Sequence, residues 1–528
     1  MLTFNSPVAG VIQFKIGSWV LMLSRNNILI IALLGAQLCY LIIVSPKKAF
    51  WCDEVLTYEV VSQSSFSRMW QATNDTLNQS PPLYFVSLWL WKHIAGTDPM
   101  AFRLFSTLCM MGAAFIWWLL LAKVYSKESA SLGVIYCFAL STGMHWHLVE
   151  ARQYALLSLF MSIACFSVYS IYCSKKLNVL NVVVFAFSSM ALIYTHYYGV
   201  IYSAGITATG ILLLMKNKDW KTALILLFAS LLAWASFIPW LATLKVHHEV
   251  ASQCPWFVKP GLWSLFEVLT SQVAALEIFL PLILLCLATS RFSSLNSAAT
   301  AIDAPSNQLQ LNQPGVLLIA CMMAGIEFFF FFYSLYVKPM FNPRYLICSY
   351  PLWAILVAHT SYRYLLYNAS VRSGTPLLTR LLLNITCIAM IGYLVMSAIN
   401  VPLDNEHQVT FEIFDKTSLP VIDEISLFQI PRWYRSNTPE RFVFLLNSAD
   451  YGCYIGPPRF LADVVKNADR MRAMTIEKFL ETTDEFYLID RSGVDWTNQL
   501  ILNNHHYHCI ELPKVLDFLS IYHVKKVK

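Results

Sequence analysis

Long apolar stretches dominate this sequence and restrict the folds open to it. Between residues 28 and 400, about eleven stretches of roughly 17 to 25 apolar residues follow one another, a length that lets a helix cross a hydrocarbon core about 30 Å thick. Hydrophobic residues make up 57% of the 528 residues and charged residues only 13%, too little polar surface to cover a soluble globule. The sequence therefore predicts a polytopic α-helical membrane protein.

The last part of the chain has a different character. From Val401 onward, charges, Asn and Asp recur every few residues, and no stretch is long enough to span a membrane. Runs of β-forming residues at 441–446, 485–490 and 506–512 are separated by helix-like stretches such as 459–472. We therefore predict a transmembrane domain at 1–400 and a small soluble α/β domain at 401–528.

Positive charge predicts the orientation of the chain. A cytoplasmic excess of Lys and Arg explains the formal net charge of +6, and no basic run indicates a nucleic-acid partner. Arg25 precedes the first span, and short basic loops follow spans two, four, six, eight and ten. Their charges are Lys123, Lys127, Lys175, Lys176, Lys216, Lys218, Lys221, Arg291, Arg363, Arg372 and Arg380. We expect these loops to be cytoplasmic and the soluble domain to be external. The first apolar run is expected to remain as an uncleaved signal anchor.

The orientation depends on one apolar stretch that does not cross the membrane. Residues 82–93 are too few to span the bilayer, and Leu88, Trp89 and Trp91 are typical of an amphipathic helix in the interface. Residues 46–101 are then predicted to be one long external loop with juxtamembrane helices.

Two familiar kinds of chemistry have no support in the sequence. It contains neither a Walker loop nor a GxGxxG motif, so ATP hydrolysis and Rossmann-type nucleotide binding are not indicated. The 13 cysteines show no CxxC spacing, and those expected outside the cytoplasm are Cys52, Cys254, Cys453 and Cys509. Spacing alone does not decide whether any two of these pair.

An acidic pair follows the first span. Asp53 and Glu54 lie at the predicted outer boundary of the membrane, where ionisable groups are costly unless they serve a purpose. Neighbours on a helix point about 100° apart, so one carboxylate can face a cleft while the other braces the helix. We assign the cleft position to Asp53. The alternative is that Asp53 is only the N-cap of a surface helix that begins at Glu54.

A second polar cluster, between the third and fourth spans, comprises His145, His147, Glu150, Arg152 and Tyr154. A guanidinium at the mouth of a span suits an anionic phosphate, because its planar donors never lose their charge. Alternatively, the Arg contacts lipid headgroups while the Tyr anchors the helix in the interface. The two His and the Glu also leave a divalent metal site open, although their spacing does not distinguish it from ordinary interface residues.

Two further loops on the predicted external side contain aromatic or basic residues. Residues 194–199 include His196 and Tyr197, which suit a sugar ring but are equally typical of interfacial anchors. Residues 338–345 place Lys338 and Arg344 around two prolines, with Tyr345 next in the chain. This stiff basic loop suits a phosphate, or alternatively the phosphates of bulk lipid.

With these residues in view, residues 28–367 resemble the GT-C type of membrane glycosyltransferases, as in glycosyltransferase families 39 and 83. That branch includes protein O-mannosyltransferases and bacterial aminoarabinose transferases. The matching motifs, in order, are Trp51-Cys52-Asp53-Glu54, Ser80-Pro81-Pro82-Leu83-Tyr84, Phe102-Arg103-Leu104, Glu150-Ala151-Arg152-Gln153-Tyr154-Ala155-Leu156, and Pro343-Arg344-Tyr345 ahead of Pro351. The chain departs from the pattern at Gln79-Ser80, where some relatives have a charged residue or His before the prolines.

The resemblance implies a polyprenyl-phosphate sugar donor, an acidic base in the first external loop and inversion at the anomeric carbon. The implied catalytic residues are Asp53, as the base, and Glu54. The implied donor-phosphate and lipid-binding residues are Arg152, Tyr154, Arg344, Tyr345 and Lys338. The candidates near the sugar or acceptor are His196, Tyr197, Glu150 and Arg103, with His196 also a second choice beside Lys338 for the phosphate. No cofactor is required, and a divalent metal stays open.

Three readings of function remain at this stage. The first is transfer of a sugar to a hydroxyl of a protein, lipid A or a cell-surface glycan, in a bacterial inner membrane with the site facing the periplasm. The second is a flippase or transporter of lipid-linked glycans, which is disfavoured because few charges other than Glu327 lie near the middle of a span. The third, a scaffold without catalytic activity, leaves the clustered Asp53, Arg152 and Arg344 unexplained.

Overall fold

The computed structural model divides the chain into two compact units. It describes residues 11–16, 19–174, 177–253, 259–272, 308–371, 376–403, 418–423, 426–446, 463, 466–468, 471–490, 497–513 and 520–527. The first, here the helical unit, comprises Met1–Val44, Arg103–Ile238 and Phe257–Val401. The second, here the mixed unit, comprises Ser45–Phe102, Pro239–Trp256 and Pro402–Lys528.

Most of the described chain is helical. The helices in chain order are α1 (Arg25–Val44), α2 (Cys52–Val61), α3 (Phe66–Asn74), α4 (Leu83–Ala95), α5 (Pro99–Val124), α6 (Lys127–Leu140), α7 (Thr142–Leu148), α8 (Tyr154–Cys173), α9 (Val179–Thr195), α10 (Gly199–Lys216), α11 (Trp220–Ala235), α12 (Leu241–Gln253), α13 (Leu262–Gln272), α14 (Gln308–Tyr336), α15 (Pro351–Val371), α16 (Pro376–Ile399), α17 (Ser426–Arg435) and α18 (Ile476–Thr482).

The strands are fewer and short. They are β1 (Val11–Ile16), β2 (Trp19–Ser24), β3 (Val421–Asp423), β4 (Val443–Leu446), β5 (Arg472–Thr475), β6 (Glu485–Asp490), β7 (Tyr507–Glu511) and β8 (Ser520–Lys526).

Several helices are long and apolar enough to cross a membrane. Among the described residues there are 6, namely Asn27–Lys47, Pro99–Val124, Tyr154–Cys173, Gly199–Lys216, Trp220–Ser252 and Gln313–Tyr336. Val179–Thr195 and Leu383–Ile399 are shorter apolar helices. The predicted class, a polytopic α-helical membrane protein, is confirmed. The count of about eleven spans stays a prediction, because the eighth falls outside the described residues.

Helix α6 lies at the centre of the helical unit. Every residue of its stretch 129–140 is buried, and the helix packs against α15 and α16. Gly133 makes this packing possible, because a Cβ there would lie 2.3 Å from the carbonyl oxygen of Ala354. Small residues let helix backbones approach closely in membranes, where apolar lipid supplies no hydrophobic drive for helix association. The close packing fixes the position of α7, which follows α6 directly.

A sharp turn separates α9 from α10, within the aromatic loop that the sequence predicted at residues 194–199. Helix α9 ends at Thr195 and α10 begins at Gly199. A Cβ at Gly199 would lie 2.0 Å from the carbonyl oxygen of Leu192, so only glycine fits there. The turn therefore presents three successive side chains, those of His196, Tyr197 and Tyr198, from one short segment.

The mixed unit contains a four-stranded sheet in the order β3-β6-β8-β7. Strands β3 and β6 are parallel and the other neighbours are antiparallel, while β4 and β5 form a separate parallel pair. The three predicted strands are confirmed as β4, β6 and β7, whereas β3, β5 and β8 were not predicted. Most of the helix-like stretch 459–472 lies outside the described residues, and β5 begins at its last residue, Arg472.

The first-loop helices pack with the C-terminal segment inside this unit. Helix α4 has 13 residues, too few to span, as predicted. The Nζ of Lys92 on α4 donates to the carbonyl oxygens of Val61 and Gln63, each at 2.7 Å, so α4 is tied to the end of α2. The Oγ1 of Thr76 donates to the carboxylate of Asp463 at 2.6 Å, between residues 387 positions apart.

A buried ion pair lies in the C-terminal part of the mixed unit. The Nη1 of Arg432, on α17, donates to Oδ2 of Asp423, at the end of β3, at 2.5 Å. The side chains are 1% and 0% exposed. An isolated buried charge is strongly unfavourable, so each member depends on the other.

We predict that Asp423→Ala lowers the free energy of unfolding by about 3–5 kcal/mol, because it leaves the Arg432 guanidinium buried without its carboxylate. The double replacement Asp423→Leu with Arg432→Met should cost much less. Lys466→Ala, which removes a pair to Asp75 whose Lys is 51% exposed, should cost under about 1 kcal/mol and is the control. Proteolytic susceptibility of the full chain at increasing temperature would measure this. Equal losses in all three variants would contradict the prediction.

Candidate active site

The loop between α7 and α8 is buried, which is unusual for a connecting segment. Glu150 is 3% exposed and Arg152 6% exposed. The loop is held by its backbone: the Oγ1 of Thr107, on α5, donates to the carbonyl oxygen of Leu148 at 2.8 Å. The backbone N–H of Arg152 donates to the carbonyl oxygen of Glu150 at 2.8 Å. Two opposite charges are thus buried two residues apart in a fixed segment.

Glu150 forms a close pair with His147. The Nδ1 of His147 lies 2.6 Å from Oε2 of Glu150, and both side chains are buried. Burial alone raises the pKa of the Glu150 carboxyl, but His147, Arg152 and Arg344 outweigh it and hold that pKa below its ordinary value. Glu150 is therefore an anion that interacts with two arginines. Arg152 and Arg344 both lower the pKa of the same carboxylate. The loop at 145–154 and the loop at 338–345 therefore meet in the helical unit.

Aromatic rings surround this charged group. The Tyr154 ring centroid lies 4.6 Å from that of His147, 5.9 Å from that of His196 and 6.0 Å from that of Tyr345. The His196 and Tyr345 centroids are 5.0 Å apart. Three loops that are far apart in the sequence therefore converge on one site. The sequence analysis had proposed candidate site residues in each of these loops.

His196 is a neutral hydrogen-bonding group in this site. Its Nδ1 accepts the backbone N–H of Tyr198 at 3.1 Å, so the proton of the neutral ring is on Nε2. Burial, followed by the charges of Arg152 and Arg344, lowers the pKa of His196 to about 3. His196 therefore does not provide a positive charge for a phosphate at neutral pH, and what it offers instead is one N–H donor.

Tyrosine hydroxyls hold the loop that contains Arg344 and Tyr345. The Tyr202 hydroxyl donates to the carbonyl oxygen of Tyr345 at 3.1 Å, and that of Tyr350 donates to the carbonyl oxygen of Pro343 at 3.1 Å. The hydroxyl of Tyr198 donates to the carbonyl oxygen of Met340. Anchoring of this kind gives Arg344, which is half-buried, a defined position.

The site-supporting role of Tyr198 and Tyr202 was missed from the sequence. Both lie at the start of α10, four residues apart and therefore on one helix face. That spacing was a usable signal, because two tyrosines on one face next to a turn present two hydroxyls in the same direction. What they bond to, a loop about 140 residues later in the chain, was not readable from it.

The three remaining candidate residues are Arg103, Lys338 and Tyr197. Arg103 is 1% exposed on α5, one turn before the Thr107 that holds the loop between α7 and α8. Lys338 is half-buried just beyond the end of α14, and Tyr197 is half-buried in the turn after α9. All three lie in the helical unit, and their roles stay predictions.

The possible metal ligands do not converge. The Nε2 of His145 lies 2.9 Å from the carbonyl oxygen of Ala139, and its ring packs 5.4 Å from that of Tyr40. Burial lowers the pKa of His145 to about 4, opposed in part by that backbone hydrogen bond. His145 is thus a core residue, whereas His147 contacts Glu150. Within the described ranges, no group of three or more His, Cys, Asp and Glu is placed to hold a metal ion.

The acidic pair lies in the mixed unit, on the first turn of α2. The helix begins at Cys52 with Trp51 as N-cap, so the alternative that Asp53 is the N-cap is wrong. Glu54 braces the helix start: it is 1% exposed, and its Oε2 accepts the backbone N–H of Trp51 at 3.3 Å. Asp53 is half-buried at the second helical position.

The four cysteines expected outside the cytoplasm show no disulfide among the described residues. Cys52 and Cys509 have free thiols, and Cys254 and Cys453 lie outside the described residues.

Comparison with known proteins shows a likeness in structure alone. Neither a protein-family model nor the sequence of a curated protein matches this chain. The crystal structure of apo ArnT from Cupriavidus metallidurans superposes with a TM-score of 0.57 at 10% identity, over 94% of this chain and 97% of that one. The same protein bound to undecaprenyl phosphate superposes with a TM-score of 0.57 at 11% identity, over 95% and 98%.

A more distant likeness is to the Archaeoglobus fulgidus oligosaccharyltransferase complex with Zn and sulfate. Its TM-score is 0.47 at 10% identity, over 87% of this chain and 68% of that one. ArnT has the GT-C fold, and its likeness covers nearly the whole of both chains. The chain is therefore an integral, multi-pass membrane protein with the GT-C fold.

Proposed function

We propose that this protein transfers a sugar from a polyprenyl-phosphate donor to an acceptor hydroxyl on the external face of the membrane. The observation that supports this most strongly is the burial of Arg152 beside Glu150, with Arg344 acting on the same carboxylate, in a chain with the fold of ArnT. ArnT binds undecaprenyl phosphate, a lipid anion that two guanidinium groups are suited to hold.

The proposed reaction is a single displacement. The acceptor oxygen attacks the anomeric carbon, the bond from that carbon to the phosphate oxygen breaks, and the configuration inverts. The proton of the acceptor hydroxyl goes to the base, and the polyprenyl phosphate leaves with the bond's electron pair. Proton removal by a positioned base typically contributes about 10² to 10⁴-fold to the rate. No nucleotide is needed, because the donor already has its leaving group.

Arg152 and Arg344 stabilise the leaving phosphate. Negative charge grows on that phosphate as the bond breaks, and fixed cationic donors in a buried site favour the charge without reorganisation. Glu150 keeps the two arginines close despite their mutual repulsion, and His147 in turn orients Glu150. Tyr154 and Tyr345 line the same site, and His196 offers its Nε2–H to the sugar or the phosphate.

Asp53 is the proposed general base. Glu54 is occupied at the start of α2, whereas Asp53 lies half-buried beside it. The acceptor class stays open among a protein, lipid A and a cell-surface glycan, and the proposed location is a bacterial inner membrane with the site facing the periplasm. Glu327, on α14, is 5% exposed and is the feature that would fit a transporter instead, so the experiment below separates the two functions.

Asp53→Asn should abolish transfer, because the amide cannot accept the acceptor proton. Lipid-linked sugars, lipid A and surface polymers would be compared by mass spectrometry in cells with the wild-type protein, Asp53→Asn or no protein. One sugar should be lost in both mutant cells while its lipid-linked donor accumulates. Glu249→Gln, an exposed carboxyl of the same unit, is the control and should behave as wild type.

Retention of the sugar in Asp53→Asn cells, with loss only where the protein is absent, would argue against Asp53 as the base. If donor then accumulated on the cytoplasmic leaflet, the transporter function would be favoured.

Arg152→Ala and Arg344→Ala should each weaken binding of undecaprenyl phosphate by about tenfold or more, because a hydrogen bond to a charged group contributes about 1.5–3 kcal/mol. Native mass spectrometry of purified protein titrated with that lipid would give the affinities. Arg363→Ala, which removes a half-buried Arg in the second half of α15, is the matched control. Unchanged affinity in both site variants would mean that the arginines serve the structure or bulk lipid.

The neutral state of His196 has a pH signature. Its pKa is about 3 in the folded protein and about 6.5 in an unfolded chain, so the unfolded state takes up a proton first as the pH falls. Stability should decrease below about pH 6.5 by about 1.4 kcal/mol per pH unit and level off near pH 3.

Thermal unfolding of wild type and His196→Gln between about pH 7.5 and pH 4.5 would measure this. The advantage of wild type over the variant should shrink as the pH falls, whereas His248→Gln, an exposed control, should track wild type. A constant difference between wild type and His196→Gln would show that His196 titrates near its ordinary pKa.

A further inference from the structure

A separate cavity lies within the mixed unit. Its volume is about 510 Å³, inside the usual range of about 300–1,000 Å³ for small-molecule sites. Its lining comes from the second half of α2 and the start of α3, from the end of α17 with the residues that follow it, and from Asn467. None of the residues assigned above to the transfer reaction lines it. We call it the Tyr434 pocket.

Part of the lining of the Tyr434 pocket is aromatic. Tyr58 and Tyr434 meet edge to face with ring centroids 4.9 Å apart, and Trp433 lies next to them. Phe50 packs behind both tyrosines, 5.8 Å from Tyr434 and 6.4 Å from Tyr58. The rings are therefore held in place rather than free to turn. Rigid aromatic rings with polar tips offer flat apolar contact together with a hydroxyl.

The rest of the lining is polar, and its positive and negative charges are balanced. Glu59 and Arg68 contribute one carboxylate and one guanidinium, and Gln63 and Asn467 contribute amides. The Nε2 of Gln63 donates to the carbonyl oxygens of Glu59 and Asn467, each at 3.0 Å. The Nδ2 of Asn467 donates to the carboxylate of Asp75 and to the carbonyl oxygen of Asp463, so both amides offer a ligand their oxygens. The exposed Arg68 guanidinium forms no hydrogen bond or ion pair within the described part of the chain. It is therefore available to a ligand.

The pocket and Asp53 lie on different sides of α2. At about 100° per residue, Tyr58, Glu59 and Ser62 project roughly 120–180° away from Asp53 around the helix axis. At about 1.5 Å per residue, they also lie roughly 8–14 Å further along it. A ligand in the pocket is thus separated from Asp53 by the body of the helix.

We propose that the Tyr434 pocket binds a neutral carbohydrate unit of the acceptor, remote from the hydroxyl that reacts. This inference rests on the proposed transfer function, because it names a glycan as the acceptor class. The aromatic rings suit the apolar face of a pyranose, while the amide oxygens and the carboxylate accept from its hydroxyl groups and the guanidinium donates to them. A binding unit held away from the reaction lets the protein select a glycan chain and position its end.

The lining argues against other occupants. A phosphate or an acidic headgroup would need an excess of positive charge, but the carboxylate of Glu59 offsets Arg68. An acyl chain would need an apolar cavity, and half of this lining is polar. An extended peptide typically binds along a sheet edge or an open groove, whereas a concave pocket suits a compact ligand.

The test uses the purified full-length protein in lipid nanodiscs and saturation-transfer NMR. The probes are maltotriose, mannotriose, chitotriose, a neutral Ser- and Thr-containing hexapeptide, and inorganic phosphate. At least one trisaccharide should bind, and Tyr434→Ala should weaken it by about tenfold, the effect of truncating an aromatic contact in a binding site. Tyr434→Phe keeps the ring and should bind nearly as wild type, as should the control Tyr522→Ala in β8.

Arg68→Ala is the second variant, chosen because its exposed side chain can be removed without disturbing the core, and it should weaken the same trisaccharide severalfold. Asp53→Asn should bind that trisaccharide as wild type does. The inference is overturned if no trisaccharide binds, if Tyr434→Ala and Arg68→Ala bind it unchanged, or if the hexapeptide or phosphate binds in its place. Since Asp53→Asn reports on transfer independently, the pocket can fail this test while the transfer function stands.

Discussion

The electrostatic balance around Glu150 is the interaction on which the site in the helical unit depends. Two guanidinium groups repel each other, and taking them out of water removes the solvent that would screen the repulsion. The Glu150 carboxylate compensates for both, and the His147 ring 2.6 Å away fixes its orientation. Removing the carboxylate would leave the repulsion between Arg152 and Arg344 uncompensated in a site with little water. The tyrosines that hold the Arg344 loop serve the same arrangement.

A buried charge cluster needs a rigid frame, and the helical unit provides one. Gly133 lets the middle of α6 pack closely against α15, and Gly199 allows the sharp turn between α9 and α10. The hydroxyls of Tyr198 and Tyr202 then donate to the carbonyl oxygens of Met340 and Tyr345 and tie the loop that contains Arg344 to the start of α10. His196 shows the consequence for chemistry: it is neutral in this frame, and no local sequence pattern distinguishes it from any other histidine.

The mixed unit illustrates a different relation between sequence and structure. The local period of strands predicted β4, β6 and β7, because alternation is visible within a few residues. Strands β3, β5 and β8 were not predicted, because β3 has only 3 residues, β5 has only 4, and β8 ends in two lysines. The grouping of the first external loop with the C-terminal segment also escaped notice, since pairs such as Thr76 and Asp463 are 387 residues apart.

The sequence by itself determined the membrane class, the short non-spanning helix α4 and the kinds of residue at each helix boundary, because length, hydropathy and charge act locally. It also narrowed the acidic pair to two roles. Only the tertiary structure decided that Glu54 braces α2, that Glu150 belongs to His147 and the arginines, and that His145 is a core residue. Those outcomes depend on which distant groups share a buried space, and the cost of burying charge selects among partners that no local pattern specifies.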